Sequence, residues 1–158
     1  MKRPIITIDG PAASGKEKIS KYISRKLNFK HLDSGIFYRR LALVLLNHSI
    51  DINNSTDIKK KINELNNLPY KKNKEIRTQE ISKLSSKIAI HSFVRVYINK
   101  LQHNFVKNNK NIKGFVIDGR DIGSVVFKKA DLKLYIDVDP KIRAKRRYKQ
   151  LIDSGEKS

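Results

Sequence analysis

A chain of 158 residues is one domain's worth of sequence, long enough to bury about 70% of the surface that its unfolded form exposes. With 39% hydrophobic and 32% charged residues and no cysteine, it is neither a membrane protein nor a disordered polymer, and it has no disulfides, thiolate metal clusters or cysteine nucleophiles. Its 35 Lys and Arg against 15 Asp and Glu leave a formal charge of +20. That excess draws polyanions and admits nucleic acid as a partner without favouring it, because runs such as Lys59-Lys60-Lys61 and Lys71-Lys72 lie scattered in polar, linker-like sequence.

Met1-Lys2-Arg3 ahead of Pro4 to Ile8 resembles the start of a secretion signal, but Asp9 and Gly10 end the apolar run before an h-region forms. No stretch approaches the roughly 20 apolar residues of a spanning helix, so a cytoplasmic protein with no membrane partner is expected. Ile5 to Asp9 reads as a buried strand feeding a loop at Gly10-Pro11. From Gly15 to Leu27 the helical spacing of Ile19, Tyr22, Ile23 and Leu27 predicts a helix buried along that face, with Glu17 and Lys21 as an i,i+4 pair. Lys30 to Leu32 suits a short second strand, and Ser34 is placed to cap a helix running through Asn47. A polar helix is predicted over Thr56 to Leu65, then a loop over Pro69 to Asn73. Helices follow over Thr78 to Ala89, with Ile81, Leu84 and Ile88 inward, and from a Ser92 cap through Phe105. Gly114 to Ile117 predicts a third strand ending at Asp118-Gly119, and Leu132 to Val138 a fourth. Pro140 opens a last helix whose inner face is expected to hold Ala144, Tyr148, Leu151 and Ile152. Strands alternating with helices predict an α/β fold with a parallel sheet covered on both faces.

Gly10, Pro11, Ala12, Ala13, Ser14, Gly15 and Lys16 fit the pattern G-x-x-x-x-G-K between a strand and a helix, the context that a phosphate-binding loop requires. Backbone N–H groups and a helix N-terminus there face phosphate oxygens, and Lys16 adds a full positive charge. The pattern then wants a Ser or Thr for Mg²⁺, where this chain has Glu17. Ser34, Tyr38 and Arg39 offer a hydroxyl, a ring and a guanidinium about one helical turn apart, a set suited to a base and its phosphate. Arg143, Arg146 and Arg147 share one helix face, read equally well as a solvated basic surface or as part of a phosphate site. His31, His48, His91 and His103 show no ligand spacing and receive no role.

Six blocks in order carry a resemblance: Ile6-Thr7-Ile8-Asp9-Gly10-Pro11, Leu32-Asp33-Ser34-Gly35 with Tyr38-Arg39, Ile76-Arg77-Thr78-Gln79-Glu80, Val94-Arg95, Asp118-Gly119-Arg120-Asp121-Ile122-Gly123, and Arg143-Ala144 with Arg146-Arg147. The chain resembles the bacterial cytidylate kinases, P-loop nucleoside monophosphate kinases, along essentially its whole length. The resemblance implies a three-layer P-loop kinase domain with strands ordered 2-3-1-4. It implies core segments 1–33 and 111–158 and a helical insertion over about 34–110 that binds the monophosphate. It implies transfer of the γ-phosphoryl of ATP, with Mg²⁺, to CMP or dCMP, the alternative being a catalytically silent basic domain that binds nucleotides or nucleic acid.

By that likeness Gly10 to Lys16, with Glu17 and Lys18, hold ATP. Ser34, Tyr38, Arg39, Arg77, Ser86, Arg95, Arg120 and Asp121 surround CMP, Asp121 on the sugar hydroxyls. Lys16, Asp118, Arg120, Arg143 and Arg147 serve the transfer, with Asp118 reaching Mg²⁺ through water and no residue ligating metal directly. Glu17 and Lys18 stand where the family has Gly and Thr, so Glu17 either repels the triphosphate or recruits Mg²⁺, and Lys18 is placed to pair with a phosphate. Relatives continue past Gly155-Glu156-Lys157-Ser158 into an arginine-bearing lid, a fifth strand and a final helix. A C-terminally incomplete monomer with slow turnover is therefore expected, with its insertion shortened around Leu68 to Asn73.

Overall fold

The computed structural model describes residues 2–155; Met1 and the closing Glu156-Lys157-Ser158, with the lid expectation drawn there, lie outside the described residues. Two compact units form, one from the residues up to Ser34 together with those from Val106 onward, the other from Gly35–Phe105.

The first unit is built on strands β1 (Ile5–Asp9), β2 (Lys30–Asp33), β3 (Phe115–Gly119) and β4 (Leu132–Tyr135). They run parallel in the order β2-β3-β1-β4. Asp9 stands opposite both Gly119 and Tyr135, and Asp118 opposite Asp33. The carboxyl ends are thereby level, and the loops leaving them gather along one edge, where open α/β sheets bind ligands. Ile8, Phe115, Val116 and Ile117 are fully buried, each contributing about 1.5–3 kcal/mol by removal from water. Ile23, Phe29, Leu134 and Ile136 pack against the cluster of Ile6, Ile8 and Val116.

Helix α1 (Lys16–Leu27) does not bury the face that its apolar spacing predicts. Ile19, Tyr22 and Leu27 are 37%, 57% and 45% exposed, and the buried residues are Ser20 and Ser24. The helix is tethered at both ends. Gly15, at φ 91°, leads out of the loop, and the Phe29 N–H donates to the Ser24 carbonyl at 2.9 Å. These tethers set the rotation, and small side chains suit a helix held close to β3. Their hydroxyls cost little when buried, because Ser20 donates to the Lys16 carbonyl and Ser24 to the Phe29 carbonyl, each at 2.6 Å.

Helix α6 (Pro140–Asp153), the last in the chain, begins as expected. Pro140 sits in its first turn, and the Asp139 carboxylate accepts from the Lys141 N–H at 2.8 Å. Its predicted inner face is corrected. Among the described residues α6 buries none; Ala144, Tyr148 and Ile152 are exposed and Leu151 is half-buried. The half-buried side carries Arg143 and Arg147. Strand β4 is shorter than expected, stopping at Tyr135, and a π-helical turn over Ile122–Val126 occupies sequence with no predicted element.

The second unit contains α2 (Gly35–Asn47), α3 (Ser55–Glu64), a 3-10 turn (Lys74–Arg77), α4 (Gln79–Ile88) and most of α5 (Ser92–Asn108). Asn54 and Thr78 cap α3 and α4 by accepting from the Asp57 and Ile81 N–H groups, each at 3.2 Å. Ser92 lies inside α5 rather than capping it: the His91 carbonyl accepts from the Val94 and Arg95 N–H groups. The stretch read as a linker around Tyr70 is pinned, its ring 5.5 Å from Phe37 and 5.2 Å from Phe105. Among the described residues no helix is long and apolar enough to cross a membrane.

Candidate functional site

The loop from Gly10 to Lys16 leaves the end of β1 and enters α1 within seven residues. The Gly10 N–H donates to the Gly119 carbonyl at 3.2 Å, and the Ser14 N–H to the Pro11 carbonyl at 3.3 Å. Ala13 at φ 58° and Gly15 at φ 91° are left-handed, a backbone form that turns successive N–H groups into an anion-binding hollow. Glycine meets that requirement at position 15 without the steric cost of a Cβ. The N-terminus of α1 opens on the same loop, so its dipole adds to the attraction for anions. Lys16 lies along the loop, its ammonium donating to the Pro11 carbonyl at 3.3 Å. The Ser14 hydroxyl is buried with no hydrogen-bond partner. An orphaned hydroxyl costs about 1–3 kcal/mol, which an incoming phosphate oxygen would offset.

The two unusual residues in the first turn of α1 diverge. Glu17 is paired with Lys21 at 3.0 Å, which neutralises it on the flank of α1; Lys18 is exposed. From α6 the Arg146 guanidinium donates to the Ser14 carbonyl at 3.2 Å, fastening that helix to the loop, and Arg143 donates to the Val138 carbonyl at 3.3 Å.

Beside the loop, β3 carries Asp118, 1% exposed, whose Oδ2 meets His31 Nε2 on β2 at 2.5 Å. Spacing alone gives His31 no role; it shares a sheet face with Asp118 through a register that pairs it with Val116. Ser34 is buried, and its N–H donates to the Asp118 carbonyl at 3.0 Å. Arg120 and Asp121 are exposed on the turn after β3, Asp121 at φ 58°. The Ile122 and Gly123 N–H groups that follow donate to the Asp9 carboxylate at 2.7 and 2.9 Å. Sequence alone places Asp9 at the end of a strand and in the block before Gly10-Pro11, with no partner named.

In the second unit, Tyr38 and Arg39 are half-buried on α2, Arg77 is exposed at the end of the 3-10 turn, and Ser86 is exposed on α4. Ser86 donates back to the Ser82 carbonyl at 3.1 Å. Arg95 on α5 donates to the Ala89 and Ile90 carbonyls at 2.8 and 2.7 Å, so part of its guanidinium closes the α4–α5 connection. No group of three or more acidic or histidine ligands gathers among the described residues. The buried carboxylate of Asp118 beside the loop has the chemistry to hold a divalent ion through water.

A sequence model described as cytidylate kinase matches residues 6–158. The chain is 39% identical over 96% of its length to Cytidylate kinase 2 of Haemophilus influenzae, spanning 72% of that protein. It is 41% identical to the Cytidylate kinase of Rickettsia felis, spanning 66% of it, and 38% identical to that of Mycoplasma capricolum, spanning 72%. The crystal structure of TT1252 from Thermus thermophilus shares the fold with a TM-score of 0.50, at 15% identity over 99% of this chain and 82% of that one.

Proposed function

The chain belongs to the cytidylate kinase family, and from that premise we propose that it transfers the γ-phosphoryl of ATP to CMP or dCMP through the residues described above. A phosphate oxygen of the acceptor attacks the γ-phosphorus, the bond to the β–γ bridging oxygen breaks, and ADP leaves with that electron pair. The reaction asks for alignment and for compensation of spread negative charge rather than covalent help. The observation that carries this reading is the loop over Gly10 to Lys16, with its left-handed Ala13 and Gly15 and the unpartnered buried hydroxyl of Ser14. Its backbone N–H groups hold the β- and γ-phosphates, Lys16 swings from the Pro11 carbonyl to the γ-phosphate, and Lys18 lies near the other phosphates.

Arg143 and Arg147 are proposed to face the transferred group, while Arg146 holds the loop in shape. Mg²⁺ would supply charge neutralisation when bound, and Asp118, its carboxylate oriented by His31, would hold it through water. In the sheet unit Ser34, Arg120 and Asp121 are proposed acceptor contacts, Arg120 gripping the phosphate and Asp121 the sugar hydroxyls. In the helical unit Tyr38, Arg39, Arg77, Ser86 and Arg95 take the same role on family likeness.

Calorimetric titration with CMP, UMP and AMP tests the reading. CMP is expected to bind at least about tenfold more tightly than the other two, a difference of about 1.4 kcal/mol. Equal or absent binding of the three overturns it.

A further inference from the structure

We propose that Asp9 is a positioning residue for the acceptor nucleotide, its carboxylate holding in place the turn that carries Arg120 and Asp121. Each of its oxygens accepts one backbone N–H, Oδ1 from Ile122 at 2.7 Å and Oδ2 from Gly123 at 2.9 Å. Both donors open the π-helical turn Ile122–Val126, where a helix leaves N–H groups without internal partners. A charged acceptor makes these hydrogen bonds stronger than neutral ones. Asp121 is left-handed at φ 58° and ψ 23°, a conformation that a residue with a Cβ rarely adopts unaided. The turn is also pressed onto β1, since a Cβ added at Gly123 would lie 2.6 Å from the Thr7 hydroxyl. Only glycine allows that approach, and it brings both N–H groups within reach of a residue on the same strand.

Asp9 has a second connection. It is the last residue of β1, and Gly10 directly after it opens the phosphate loop and donates to the Gly119 carbonyl. One side chain and one peptide bond therefore tie the donor loop to the turn after β3, fixing the register of two loops that leave neighbouring strands. A carboxylate that merely capped the turn would affect stability alone. One that positions Arg120 and Asp121 affects the acceptor more than the donor.

The inference rests on the reading of Arg120 and Asp121 as acceptor contacts. Asp9→Asn keeps one oxygen and turns an NH₂ toward the other donor, and Asp121→Asn removes the charge that it is argued to position. For Asp9→Asn the expected result is a CMP affinity weakened about tenfold or more, in the range for hydrogen bonds to charged groups, with ATP affinity changed less than about threefold. In the double variant the two losses should be strongly non-additive, as for groups acting in series. Equal losses for CMP and ATP, or additive losses in the cycle, overturn the proposal. If Asp121→Asn weakens CMP binding and Asp9→Asn does not, the positioning role alone falls. If Asp121→Asn leaves CMP binding unchanged, the acceptor reading of this turn falls and the proposal with it. Should Asp9→Asn fail to fold, amide exchange in the unaltered chain decides: CMP should slow exchange at Ile122 and Gly123, and no change there overturns the role.

Discussion

Arg39 and Arg120 meet the acceptor through charged hydrogen bonds in the reading above, so Arg39→Ala and Arg120→Ala should each weaken CMP by roughly 1.5–3 kcal/mol. Calorimetry checks this, and losses below a few tenths for both would remove them from the site. The replaced loop residues lead to the opposite expectation. Because Lys21 already neutralises Glu17, the pair Glu17→Gly with Lys18→Thr should leave ATP affinity unchanged or lower. A gain of about tenfold would mean that the carboxylate does repel the triphosphate. On α5, burial pushes the Tyr97 phenol above its ordinary value of 10.0. The folded chain then holds that proton more tightly than the unfolded chain. Its contribution to stability is complete below pH 10.0 and is lost as pH rises through the raised value. Tyr97→Phe should flatten that alkaline loss in urea titrations at a series of pH values; an unchanged slope would place the loss elsewhere.

Among the elements, α1 shows how a helix can seat serines against a sheet: Ser20 and Ser24 are buried beside the packed Ile23, while Ile19 and Tyr22 are exposed. Ser20 is fully buried, so Ser20→Leu should destabilise the fold by about 1–3 kcal/mol through overpacking, with a lower urea midpoint. A midpoint that does not move would mean that α1 has room against the sheet. The apolar spacing of α4 is followed more closely: Ile81 and Ile88 are buried and Leu84 is half-buried. The difference lies in attachment. Helix α4 starts from a Thr78 cap that leaves its rotation to packing, whereas the rotation of α1 is imposed by the phosphate loop at one end and by β2 at the other.

For the whole molecule, the charge of +20 leaves 35 Lys and Arg against 15 Asp and Glu, of which pairs such as Lys2–Asp131, Glu17–Lys21 and Lys61–Glu64 engage a few. Such a surface attracts polyanions without recognising them. Affinity for single-stranded RNA should therefore fall steeply between about 50 and 200 mM salt, while saturable CMP binding persists. RNA binding that survives the salt while CMP binding does not would favour the silent nucleic-acid-binding domain.

The parallel sheet, its strand order and the tight glycine loop after β1 are legible in the sequence. Strand runs such as Ile5 to Asp9 and the glycine spacing of residues 10–16 are local signals, and six blocks in family order carry the connectivity. Tertiary structure decided what those signals do not encode. Which face of α1 turns inward depends on the tethers at its two ends, and α6 buries none of the apolar residues that its spacing points inward. The pairing of His31 with Asp118 depends on β2–β3 register, and the grip of Asp9 on Ile122 and Gly123 spans more than a hundred residues. The last two are contacts between groups brought together by the sheet, and periodicity along one segment carries no information about a partner on another.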